Sequence, residues 1–186
     1  MDIEFVAANA PIAPKTAIAR IGFEGGTLDG SLAAAGAASR FTGAKGQTLD
    51  VLGPAGTDAA RLVVVGAGKQ DSFDAIGLEH AAASGYGAVK ASGLTTLRIE
   101  LEGATADQAA HAALGVRLAS YRFDKYRTKE PAERKPSVTK TQVVVGDIDG
   151  ALAAFAPLAA LADAVSFTRD LVSEPPNVLY PVEYAQ

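Results

Sequence analysis

The chain has 186 residues, a length that fits one hydrophobic core and does not accommodate two sizeable ones. Hydrophobic residues make up 48%, charged residues 20% and aromatics 6%, which excludes disorder and a collagen-like repeat, and zero cysteines remove disulfides, thiolate metal sites and thiol nucleophiles together. The formal net charge of −4 sets the chain as a whole against nucleic acid and anionic membrane surfaces.

Much of the apolar count is small, with 39 alanines and 19 glycines, so the expected core is Ala, Val and Leu packed by close backbone approach. The start, Met1 to Phe5, carries neither the basic region nor the long apolar run of a signal peptide. Ala151–Val165, the most apolar stretch, is interrupted by Pro157 and Asp163 and falls short of the ~20 residues that span a bilayer. Cytoplasmic residence without a membrane partner is the expectation.

In chain order, β-branched runs bounded by Gly, Pro or Asp predict strands at Ile3–Val6, Thr16–Phe23, Gln47–Leu52, Arg61–Val65, Thr96–Leu101 and Thr141–Val145. Leu62–Val65 and Val143–Val145 are uninterrupted apolar, the pattern of strands covered on both faces, and are expected at the centre of the sheet. Ala-rich stretches predict helices at Ser31–Ser39, Ser72–Ser92 with Asp71 as N-cap, and Ala106–Phe123, where Thr105 and Gln108 form a capping-box pattern. A last helix is expected from about Pro157 to Val172, stopped by Glu174-Pro175-Pro176. Strands alternating with helices, after an opening run of strands, predict an α/β fold with a mixed β-sheet flanked by helices.

Lys125–Lys140 carries six basic side chains against Glu130 and Glu133, with Pro131 and Pro136, and reads as a solvated loop. Beyond Val172 an extended, proline-bound connector leads to a helix expected to begin at Pro181. That sets a domain at 1–172 and, at 173–186, a connector with the start of something further.

Few residues offer chemistry. Val65-Gly66-Ala67-Gly68-Lys69 is a strand running into a Gly-rich turn, but Asp71 stands where a dinucleotide fingerprint needs Gly or Ala, and the spacing is not that of a Walker loop. The turn reads as structural, with its glycines supplying unusual φ. His80 and His111 have no ligand partner at metal-binding spacing, and Asp147 with Asp149 before Gly150 reads as helix capping by Asp149. No nucleophile elbow is present. No catalytic, cofactor-binding or metal-ligating residue is therefore assigned within these 186 residues.

The connector Arg169-Asp170-Leu171-Val172-Ser173-Glu174-Pro175-Pro176-Asn177-Val178-Leu179-Tyr180-Pro181 resembles the junction motif of the leucyl aminopeptidase (cytosol aminopeptidase) family, with Ser173 where Asn is usual. Val65–Lys69, with Gly66 and Gly68, is similar to that family's strand-end turn, and Tyr121-Arg122-Phe123-Asp124-Lys125-Tyr126 to its Tyr-Arg-Phe-x-x-Tyr helix end. The resemblance implies an N-terminal domain similar to macro domains, joined to a catalytic domain that binds two divalent metal ions (Zn or Mn) and assembles as a homo-hexamer. The family's catalytic residues fall beyond Gln186, so none is carried onto this chain. Two other readings stay open: a macro-like module binding ADP-ribose or a related phosphate, and DNA contact through the Lys125–Lys140 loop.

Overall fold

The computed structural model describes residues 1–179 and 182. Six strands form one sheet: β1 (Asp2–Val6), β2 (Thr16–Gly22), β3 (Thr48–Leu52), β4 (Arg61–Gly66), β5 (Thr96–Glu100) and β6 (Lys140–Val144). Their order is β1-β6-β5-β2-β4-β3, parallel throughout except for the antiparallel β3–β4 pair. This is the expected mixed α/β sheet, and every expected strand is present within a residue or two of its ends.

The centre differs from expectation. β2 and β5 lie innermost, with the apolar β4 and β6 one place further out. Apolar continuity points elsewhere because β2 and β5 carry Arg20, Arg98 and Glu100, and these charges are paired on the sheet rather than exposed at an edge.

Four helices complete the fold: α1 (Gly30–Ser39), α2 (Ala75–Val89), α3 (Ala106–Ala119) and α4 (Ile148–Ser173). α2, α3 and α4 pack side by side on one face of the sheet, over Ala17, Ala19, Val63, Val65, Leu97, Ile99 and Val143. The fit depends on small residues. A Cβ on Gly115 of α3 would come within 2.2 Å of the Glu79 carbonyl oxygen of α2, so the two helices approach backbone to backbone. His111 fixes the same pair, its Nδ1 2.6 Å from Glu79.

The opposite face divides in two. Ile18, Leu49, Leu62 and Val64 form a smaller core with Leu28 and Leu32 around α1. Beyond it the same face turns polar, in a row that runs through the pairing register from Ile18 to Arg98 to Gln142 to Glu4.

The caps explain the helix boundaries. Thr105 and Gln108 make the expected reciprocal capping box on α3. On α2 the N-cap is Asp74, accepting from the Gly77 N–H, while Asp71 sits in a short 3-10 turn, so the helix starts later than expected. α3 ends at Ala119, four residues before the expected Phe123.

The largest departure is α4. Asp147, not Asp149, caps it by accepting from the Gly150 N–H, and the helix runs 26 residues with Pro157 inside. Both Pro157 and Ala153, whose carbonyl loses its intrahelical partner, are exposed, so water takes over that acceptor. The first turns are held independently: Ala151 is fully buried and Phe155 meets Phe5 edge-on at 5.7 Å.

Candidate functional site: the α3–α4 junction

Three motif segments carry the sequence resemblance, and the structure sorts them into two kinds. The Gly66–Gly68 turn is an internal brace. The N–H of Gly66 donates to Gln47, that of Ala67 to Gly22 and that of Gly68 to Gly43, while the Gly68 carbonyl accepts from the Glu24 N–H. A Cβ on Gly66 would sit 2.2 Å from the Ala44 carbonyl, and Gly68 has φ +80°. Glycine is required twice here, once for space and once for conformation. All three N–H groups are committed, so none is left for a phosphate.

The other two motif segments, about fifty residues apart in sequence, meet. The Tyr121 hydroxyl donates to Asp170 Oδ1 at 2.8 Å. The Arg169 guanidinium lies 3.9 Å from the Tyr121 ring centroid and donates to the Leu118 carbonyl at 3.3 Å, covering the open C-terminal end of α3. One turn further on, Glu174 accepts from Lys125 Nζ at 2.6 Å and from the Tyr126 hydroxyl at 2.5 Å. Phe123 packs on Tyr126 with centroids 5.8 Å apart.

The electrostatics agree with the geometry. Hydrogen bonds from Lys125 and then Tyr126 hold the Glu174 carboxyl below its ordinary value. The same contact raises Lys125, and raises Tyr126 together with desolvation. Desolvation and the bond to Asp170 raise Tyr121. The two segments form a latch that ties the end of α4 to the loop following α3.

Tyr121, Phe123, Arg169 and Asp170 therefore belong to one constellation. Lys125, Tyr126 and Glu174 complete it; they lie inside the same motif runs, but their pairing has no short-range signal. Pro175 accepts backbone bonds from Val178 and Leu179, so the segment through Asn177 turns rather than extends. Pro181, and the helix expected from it, lie outside the described residues.

A wide cleft of about 920 Å³ opens at the C-terminal ends of β2, β5 and β6, where the chain leaves β2 and β5 in opposite directions. Part of its charged wall is already paired. Arg98, 1% exposed, reaches the carbonyls of Ala10 and Ala8 at 3.1 and 2.9 Å, and its Nε lies 3.3 Å from Glu100, which also accepts from Arg20 at 2.8 Å. Arg98 thus fastens the Ala7–Ala10 loop over the sheet. Among the described residues no group of three or more His, Asp or Glu gathers at metal-binding distance.

The fold and the latch together define an α/β domain whose last helix is tied at its C-terminal end by an interlocking polar contact. The sequence matches the profile of the cytosol aminopeptidase family, N-terminal domain, over residues 19–130. The chain belongs to that family and corresponds to that domain. It is 48% identical over 196 aligned residues to a probable cytosol aminopeptidase of Caulobacter vibrioides, covering 100% of this chain and 40% of the relative. A probable cytosol aminopeptidase of Rhodopseudomonas palustris is 39% identical over 87% of this chain and 33% of its own length. The chain thus spans well under half the length of these relatives.

Among solved structures, a mutant tomato leucine aminopeptidase superposes over 100% of this chain and 40% of its own, with a TM-score of 0.79 at 18% identity, a likeness of fold. The bottromycin maturation enzyme BotP in complex with Mn superposes over 91% of this chain and 34% of its own, with a TM-score of 0.71 at 27% identity.

Proposed function

We propose that this chain is the non-catalytic, macro-like N-terminal domain of a metal-dependent aminopeptidase that removes N-terminal residues from peptides in the cytoplasm. Residues 1–172 form the domain, and 173–186 form the connector to a catalytic half that holds two divalent metal ions, Zn or Mn. In this reading the domain packs on its own catalytic half and shapes the edge of a homo-hexamer.

The observation that carries the reading is the outer side of α4. Leu152, Leu161, Phe167 and Val172 are 52%, 51%, 64% and 81% exposed along one helix. By length and composition α4 is apolar enough to cross a membrane, with mean hydropathy 1.6 over its best 18-residue window. Its inner side, however, is an integral part of the domain. Ala151 and Ala162 are fully buried, and Asp163 accepts from Arg117 of α3 at 2.8 Å. An apolar outer face next to the latch suits a large protein neighbour supplied by the same polypeptide.

Two measurements test this. The purified 186-residue chain should not hydrolyse leucine p-nitroanilide with Zn or Mn present, and metal-dependent turnover by it would sink the reading. In the longer protein, Phe167→Asp should reduce peptidase activity and loosen the assembly seen by size-exclusion chromatography.

A further inference from the structure

The basic run Lys125–Lys140, expected to be a solvated loop, does not simply radiate into water. Lys125 turns to Glu174 and Lys140 to Glu4. Arg127 and Arg134 instead line a cleft of about 450 Å³ between the C-terminal end of α2, the loop after α3 and the end of α4. Lys90 from α2, Arg122 from the loop and Arg169 from α4 join them, and no carboxylate lines the cleft.

Five cations therefore converge from three separate segments, in a protein whose net charge is −4. Arg122 is paired outside the cleft with Glu130, and Arg169 stacks on Tyr121. Among the described residues Lys90, Arg127 and Arg134 join no ion pair. Like charges brought together without a counter-charge repel, and an incoming anion relieves that repulsion.

A second observation points into the same cleft. Tyr86, 2% exposed overall, lines it, and its hydroxyl makes no hydrogen bond among the described residues and stays open to the solvent of the cleft. An oxyanion in the cleft would accept from that free hydroxyl, while planar guanidinium groups match phosphate oxygens in pairs.

We propose that this cleft is a binding site for a phosphorylated small molecule, held by Arg127, Arg134 and Lys90 with the Tyr86 hydroxyl as a further donor. The site lies against the latch through Arg169, so an occupant would brace the end of α4.

Isothermal titration of the 186-residue chain in low-salt, phosphate-free buffer tests it, with inorganic pyrophosphate and AMP as separate probes. Saturable binding of either probe is expected, weakened at least tenfold in Arg127→Gln/Arg134→Gln and measurably in Tyr86→Phe. Lys45→Gln, a change beside Gly68 at the opposite end of the sheet, should leave binding unchanged. Preference for AMP would assign a nucleotide source and preference for pyrophosphate an inorganic one; both sustain the site. Silence of both probes at about 5 mM, or equal weakening by Lys45→Gln, overturns it. So does binding confined to a single-stranded oligonucleotide, which would make the cleft a nucleic-acid surface. Unchanged far-ultraviolet circular dichroism of each variant certifies the fold, and Arg134→Lys should retain part of the affinity if charge in the cleft is what matters.

Discussion

Single residues hold this domain together through charge as much as through apolar burial. Arg98 is the clearest case, a buried cation whose guanidinium fastens three loop carbonyls and one face of Glu100. Arg98→Ala should cost about 3 kcal/mol, because it empties a buried position and releases three loop carbonyls together with one partner of Glu100, and a urea midpoint would read the loss. The latch makes a different prediction, one of pH. Glu174 is depressed, so its contribution is complete above the unfolded carboxylate value and disappears as pH falls through the folded one. Lys125 and Tyr126 are raised, so theirs is complete below their unfolded values and disappears as pH rises through the folded ones. Hydrogen exchange in residues 171–179, taken relative to the intrinsic amide rate at each pH, should therefore be slowest from mild acid to about pH 10 and accelerate at both extremes. Tyr121→Phe should quicken it at neutral pH. Tyr121, Arg169 and Asp170 were legible as motif residues, but their mutual contact was not. Nothing in either segment encodes a partner fifty positions away.

Elements were more legible than their arrangement. Strand runs and the Thr105–Gln108 box are local signals, and local signals survived folding nearly intact. Where a boundary depends on tertiary contact, the local pattern misplaces it. Pro157 reads as a helix start until Phe155 and Ala151 are seen anchoring a turn ahead of it. That arrangement predicts a gain: Pro157→Ala restores the bond to the exposed Ala153 carbonyl and should stabilise the domain by about 1–3 kcal/mol, visible as a higher melting temperature. The opposite holds at Gly115, where any side chain meets the Glu79 backbone. Gly115→Val should force α2 and α3 apart and cost about 1–3 kcal/mol, measurable by thermal unfolding. The central place of β2 and β5 was hidden for a related reason. Their charges neutralise one another across strands, and a strand read alone shows the charges without the partners.

At the scale of the molecule the domain is layered unevenly, with three helices on one face of the sheet and α1 covering part of the other. The uncovered part is closed by ion pairs, which suit water, whereas the apolar side of α4 does not. If a catalytic half covers α4 as proposed, exchange along α4 should be slower in a protein that carries it than in this chain alone, while the polar row from Arg98 to Glu4 should exchange alike in both. The order of the sheet has one more consequence, and it concerns how the chain is made. β1 is the first of the six strands to be synthesised, yet among the described residues its sole neighbour in the sheet is β6, which begins at Lys140. Most of the domain must therefore be synthesised while a five-residue strand with Ile3, Phe5 and Val6 waits unpaired. Long-range parallel pairing of this kind is slow and exposes apolar edges until it closes. β1 is thus the piece of this domain whose safety depends on the rest arriving.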